Sequence, residues 1–278
     1  MKRIKTYAKF IKLEHTLFSL PLIYSGAVLA QRGWPPVRIF LLVLLAGFGA
    51  RTVAMALNRI IDRHFDALNP RTAGRELPAA ALSAKEAWAV VILGLVLYLG
   101  AAWAIAPICL WLSPIPLGVF VVYPYMKRFT PWAHLGVGAG LALAPLGGWI
   151  AVTQTLEGVG PGLLLTLFTF FWVAGFDMIY STADAEFDRS AGLKSLPAMR
   201  GVGGALMISA VFHLAAFFCL VGLQLTVLSG ALSWAVLLGT GALLWLEHHK
   251  ATDVHLAFFK INAVLGFVVL GWIVCGVA

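Results

Sequence analysis

The chain has 278 residues, 61% of them hydrophobic and 12% charged, with a formal net charge of +8. Apolar runs so long and so numerous exceed what the core of a water-soluble domain holds, so the sequence reads as a protein that lives in a bilayer. The positive charge then acts as a determinant of orientation and an attraction to anionic lipid, and nucleic acid is excluded as a partner.

A hydrocarbon core roughly 30 Å thick takes about 20 apolar residues of helix to cross. Such segments recur at about 14–31, 37–61, 86–105, 107–125, 132–154, 161–183, 202–222, 224–246 and 255–277, which predicts an all-α polytopic membrane protein with nine transmembrane helices. A barrel is excluded because its strands need only ~10 residues of alternating polarity, and these runs do not alternate. No water-soluble domain fits between the segments, so 1–278 reads as a single integral-membrane domain. Lys2, Arg3, Lys5, Lys9 and Lys12 precede the first segment, but Glu14 and His15 interrupt the approach and no small-residue cleavage site precedes Gln31. That segment reads as a helix, not a signal peptide. Cys109, Cys219 and Cys275 lack metal-like spacing and imply neither disulfides nor zinc. His64, His248 and His249 read as loop or interfacial residues, Asn262 as an interhelical polar contact, and the glycines of 136–148 as points of close helix packing.

Nine crossings put the N-terminus on the side of the loops after segments two, four, six and eight. Seventeen of the 20 Lys and Arg residues fall there; Arg32 and Arg38 lie opposite, and Arg51 lies inside segment two. The positive-inside rule makes that side cytoplasmic and the C-terminus external, as in a prokaryotic inner (plasma) membrane.

Acidic residues gather on the same side. Segment two ends in NRIIDRHFD, where Asn58, Asp62 and Asp66 follow one another at i, i+4. At about 100° per residue these three project from one helix face, each ~6 Å further along the axis. Segment six ends in DMIYSTADAEFD, with Asp177, Tyr180, Asp184 and Asp188 within a comparable arc. Like charges at i, i+4 repel, and both clusters sit at the negative end of a helix dipole. A hard divalent cation relieves this. Magnesium takes oxygen ligands and is bound by one or two carboxylates together with substrate phosphates. Two such clusters facing each other would hold a diphosphate through bridging metal. Each leads into a basic loop, and Ala73-Gly74 and Leu77-Pro78-Ala79 match Ala191-Gly192 and Leu196-Pro197-Ala198. The two halves therefore read as a degenerate internal repeat, two pseudo-repeated bundles.

In these two motifs, 58–66 and 177–188, and in the flanking NPRTAGRELP, YPYMKRFT and GLKS, the chain resembles the UbiA superfamily of intramembrane prenyltransferases. It is most similar to the 4-hydroxybenzoate polyprenyltransferase branch. The marks of that superfamily are N-D-x-x-D-x-x-x-D and a later D-x-x-x-D, and the likeness covers nearly the whole chain. It implies transfer of a polyprenyl group from a polyprenyl diphosphate to an aromatic acid acceptor in ubiquinone or menaquinone biosynthesis. The cofactor would be Mg2+, held by Asn58, Asp62, Asp66, Asp184 and Asp188. Arg59 stands where many members carry aspartate, so it is left out of the ligand set. That variant looks more like the subgroup serving menaquinone synthesis through a dihydroxynaphthoate.

The resemblance further implies a prenyl tail in an apolar channel open to membrane lipid, with no obligate protein partner evident. Candidate clamps for the diphosphate are Arg63, Lys127, Arg128 and Lys194, and Tyr125 and Tyr180 would shield an allylic cation with their π faces. Asp177, Tyr180 and Arg51 are the catalytic candidates. Arg51 lies about two helical turns before Asn58, and a guanidinium at that depth needs an anionic partner. That partner is either Asp177, in a structural ion pair, or the carboxylate of the aromatic acid. Two other classes are weighed beside this one. A secondary transporter would place its ionisable residues near the midplane, and a phosphoalcohol transferase would carry acidic repeats with glycine and arginine in one continuous motif, which is missing here.

Overall fold

The computed structural model describes residues 2–13, 16–251, 253–254 and 260–277, and its regular structure there is helical throughout. In chain order the helices are α1 (Lys2–Phe10), α2 (Thr16–Gln31), α3 (Val37–Leu68), α4 (Ala84–Ile105), α5 (Pro107–Leu112), α6 (Pro114–Met126), α7 (Ala133–Thr153), α8 (Gly160–Ser181), α9 (Ala185–Ser190), α10 (Leu196–Thr226), α11 (Ala231–His249) and α12 (Asn262–Val277). A 3-10 turn, Thr182–Asp184, joins α8 to α9.

Each of the nine expected segments contains a helix. Among the described residues seven helical stretches are long and apolar enough to cross a membrane, and α2 and α12 have 16 residues each. Glu14 and His15, and residues 255–259 of the last segment, lie outside the described residues.

Prolines set several starts: Pro107, Pro114, Pro161 and Pro197 stand in the first turns of α5, α6, α8 and α10, where their missing N–H costs nothing. A capping box between Ser83 and Glu86 starts α4. Glu86 also accepts from Tyr7 Oη at 3.2 Å, and with Phe10 fully buried this docks amphipathic α1 against α3 and α4. The two basic loops diverge in form. Leu77-Pro78-Ala79 lies in turns ahead of α4, whereas Leu196-Pro197-Ala198 opens α10, whose axis is broken at Gly201 with φ 75°.

Large apolar side chains such as Leu41, Ile92, Trp103, Trp111 and Phe218 are exposed, as lipid-facing residues are. Between helices, lipid removes the usual hydrophobic drive, so association rests on close packing and polar contacts. A Cβ on Gly148 would lie 1.9 Å from the Ile23 carbonyl oxygen, and one on Gly26 1.8 Å from that of Pro145. Glycines thus bring α2 and α7 into backbone contact, as expected for 136–148. Asn262 is an interhelical contact as read, accepting from Trp172 Nε1 at 2.8 Å and donating to Glu247 Oε1 at 2.8 Å. The reading of His248 needs correction: α11 turns it inward, and its Nε2 lies 2.9 Å from His213 Nδ1.

Candidate active site

The C-terminal ends of α3 and α8 open onto one polar chamber of about 280 Å³. Asn58, Asp62 and Asp66 line it from α3, and Asp177, Tyr180, Asp184 and Asp188 from α8 to α9. The i, i+4 spacing turns these side chains to a common side. Within the first cluster Asn58 Nδ2 donates to Asp62 Oδ2 at 3.2 Å. The two clusters are tied across the chamber by the loop after α3, where Asn69 Nδ2 donates to Asp184 Oδ1 at 2.9 Å.

That loop also supplies cations. Arg71 grips Asp184 through both Nε and Nη2, reaches Tyr180 Oη through Nη1 at 2.6 Å, and lies 4.9 Å over the Tyr180 ring. Burial would lower the Arg71 guanidinium, but the Asp184 carboxylate and the Tyr180 hydroxyl outweigh it and raise it. Arg75 pairs with Asp66 at 2.6 Å, and Lys127, at the end of α6, with Asp62 at 3.3 Å. Lys12, from the turn after α1, completes this rim. Burial and the guanidiniums of Arg59, Arg75, Arg71 and Arg51 push its ammonium from the ordinary 10.5 down to about 8.

Of the expected clamps, only Lys127 lines the chamber. Arg63 is exposed outside it, because it follows Asp62 by one residue and therefore points about 100° away. Arg128 reaches Asp62 Oδ1 at 3.8 Å from outside the chamber, bonds the Ile61 carbonyl at 2.9 Å, and stacks 4.5 Å over Tyr125. Tyr125 is thus a platform for Arg128 and lines no part of the chamber. Lys194 is also turned away: its ammonium lies 3.5 Å from the Phe129 carbonyl, and its backbone N–H donates to the Lys127 carbonyl at 2.7 Å. Tyr123, His134, Lys12, Arg59, Arg71 and Arg75 also line the chamber, and the sequence reading gave none of them a role there. Tyr123 had a signal, since it precedes Lys127 by four residues and shares its helix face.

Arg51 stands where the polar chamber meets a second cavity of about 250 Å³, lined by Ile23, Val43, Leu141, Ile150 and other apolar residues. Its Nε is buried without a hydrogen-bond partner among the described residues. The ion pair with Asp177 is not formed; His134 Nδ1 holds Asp177 Oδ2 instead, at 2.7 Å.

The side chains suit a hard cation by donor chemistry. The set is all oxygen, and Asp62 Oδ1 and Asp66 Oδ2 are buried without a hydrogen-bond partner among the described residues. Among those residues no three His, Cys, Asp or Glu side chains converge on one metal position; Arg71, Arg75 and Lys127 balance the carboxylates there.

A helical membrane protein with paired acidic clusters beside an apolar cavity is the class defined so far, and comparison with known proteins gives the family. The UbiA prenyltransferase family model matches residues 19–263. The chain is 30% identical over 243 residues to a 4-hydroxybenzoate octaprenyltransferase of Yersinia pseudotuberculosis, covering 86% of this chain and 83% of that protein. A solved UbiA homolog from Aeropyrum pernix K1 superposes with TM-score 0.85 at 35% identity, over 94% of this chain and 97% of the other. A UbiA homolog from Archaeoglobus fulgidus bound to DMAPP and Mg2+ shares the fold with TM-score 0.72 at 18% identity, over 96% and 99%. The chain belongs to the UbiA prenyltransferase family, enzymes that transfer prenyl groups. The transporter and phosphoalcohol transferase readings give way to it.

Proposed function

We propose that this enzyme joins a polyprenyl group from a prenyl diphosphate to the ring of an aromatic acid in quinone biosynthesis. The observation that carries the reading is Arg51, an unpaired guanidinium Nε at the junction of an acidic chamber and an apolar one. An acceptor that is both aromatic and anionic fits that junction. The Yersinia relative is named for 4-hydroxybenzoate; Arg59, where many superfamily members carry aspartate, speaks for a dihydroxynaphthoate.

Asn58, Asp62, Asp66, Asp184 and Asp188 would hold Mg2+, which supplies positive charge to a leaving diphosphate. Lys127, Lys12, Arg59, Arg71 and Arg75 add fixed cationic charge around the same anion, the preorganised kind that contributes most to catalysis. The apolar cavity receives the prenyl tail and excludes water from the allylic carbon. Tyr180 and Tyr123 present π faces to a cation formed beside them. The one-sided distribution of basic residues supports an inner-membrane orientation with this chamber on the cytoplasmic side.

The test is an acceptor screen with purified protein, Mg2+ and geranyl diphosphate, comparing 4-hydroxybenzoate, dihydroxynaphthoates and carboxyl-free phenols. Prenylated product and diphosphate release are expected with a carboxylated acceptor only. Equal turnover of the carboxyl-free compounds would remove the role given to Arg51, and no turnover with any acceptor would remove the proposed reaction.

A further inference from the structure

We propose that His134 is a positioning residue that keeps Asp177 and Arg51 apart, so that Asp177 takes the proton the acceptor ring loses while Arg51 stays free for the acceptor's carboxylate. The proposal rests on the reading of Arg51 given above and adds the residue that makes it possible.

Asp177 and Arg51 line the same chamber. In a poorly hydrated space within a membrane, an arginine and an aspartate attract strongly, and their direct pairing is one of the two arrangements the sequence leaves open. Tyr123 stands within electrostatic reach of both. They are unpaired here: α7 begins at the chamber wall, and its first turn carries His134, which is only 3% exposed and bonds Asp177 at 2.7 Å. Three neighbouring carboxylates behave differently: Asp62, Asp66 and Asp184 each hold a lysine or an arginine.

Hydrogen-bond logic assigns the tautomer. An ionised Asp177 accepts from Nδ1–H, leaving Nε2 with its lone pair, and His134 Nε2 is buried without a partner among the described residues. A proton on Nε2 would be a buried donor left unsatisfied, a costlier arrangement than an idle lone pair. The tautomer that fits is the one that donates from Nδ1 to Asp177 and leaves the lone pair on Nε2. The Asp177 side chain retains 21% of its surface open, against 4% for His134, so the carboxylate and not the imidazole meets the substrate.

The step balances as follows. The allylic C–O bond breaks with its electron pair leaving on the diphosphate, and a ring carbon's π pair forms the new C–C bond to the prenyl carbon. The C–H bond at that ring carbon then breaks, its pair restores the aromatic ring, and the proton passes to the Asp177 carboxylate. A carboxylate clasped by Arg51 would be a weaker base, and the clasped guanidinium would no longer anchor the acceptor.

Steady-state kinetics on the full chain, with Mg2+, geranyl diphosphate and the best acceptor from the screen, test this. His134→Ala is expected to raise the acceptor's KM about tenfold or more while the KM for geranyl diphosphate stays within about twofold. His134→Gln, whose amide can still donate to Asp177, is expected to restore most of the loss. Asp177→Asn in the otherwise native chain is expected to lower kcat by about a hundredfold with the acceptor's KM unchanged, and this arm decides the matter if His134→Ala does not fold. An unchanged acceptor KM in His134→Ala, a glutamine variant no better than alanine, or an acceptor KM that moves in Asp177→Asn would each overturn the proposal. Absence of wild-type turnover would count against the functional reading itself, whereas wild-type turnover with an indifferent His134→Ala would count only against the positioning role.

Discussion

Lys12 illustrates how a residue placed by its sequence among orientation signals becomes part of the chemistry. It belongs to the basic leader, but the turn after α1 lays it into the rim of the chamber beside four arginines. With its ammonium pushed down to about 8, the charged form is penalised in the folded protein below that pH, and the penalty is relieved as pH rises toward 10.5. An arriving diphosphate favours the charged form. Binding below pH 8 thus needs no proton, and binding above it must take one up. Calorimetric binding of geranyl diphosphate with Mg2+ is expected to weaken by up to about tenfold per pH unit above pH 8, and Lys12→Met is expected to flatten that dependence; an unchanged slope in the variant would contradict it. At this scale the sequence was legible where spacing defined a face, as for Asn58, Asp62 and Asp66. By that same rule Tyr125 and Arg63 fall off the chamber face, and Tyr123 falls on it. His134 carried no local signal, because its partner Asp177 is 43 residues away.

At the scale of elements, apolar length alone placed a helix in every expected segment; the first acidic motif lengthened α3 to Leu68, beyond its apolar run, whereas the second runs on past the end of α8 at Ser181, through a 3-10 turn, into α9. The loop of residues 69–83 was harder to read. Its arginines fit a positive-inside count equally well whether they face water or carboxylates, and only the fold shows Arg71 and Arg75 reaching Asp184 and Asp66. Glycine spacing on α7 was informative, since backbone contact needs residues without side chains. Gly148→Ala would force the methyl into the Ile23 carbonyl, and overpacking of this kind costs about 1–3 kcal/mol. Thermal unfolding in detergent is expected to show a lower midpoint for Gly148→Ala than for Gly147→Ala, whose Cβ would meet open space; equal midpoints would contradict the packing described. The buried group of His213, His248, Glu247, Asn262 and Trp172 joins α8, α10, α11 and α12. Of this group only Asn262 reads from sequence as an interhelical contact; His248 reads as interfacial, and the others declare a polar role only once the four helices are adjacent.

For the whole molecule, the central proposal is that two helix tips, 122 residues apart in sequence between Asp62 and Asp184, enclose one chamber that would take a prenyl diphosphate together with Mg2+. Composition and motif made the membrane class and the chamber's acidic walls legible. The division of the interior into a polar and an apolar cavity, with Arg51 between them, depends on packing among α2, α3, α4 and α7 and could not be read from one dimension. The most direct measurement is Mg2+-dependent diphosphate release by purified Asp62→Ala and Asp184→Ala variants that match the wild type in thermal unfolding. Both are expected to fall by about two orders of magnitude or more, since each removes charge stabilisation realised at the leaving group. Full turnover in either variant would contradict the central proposal.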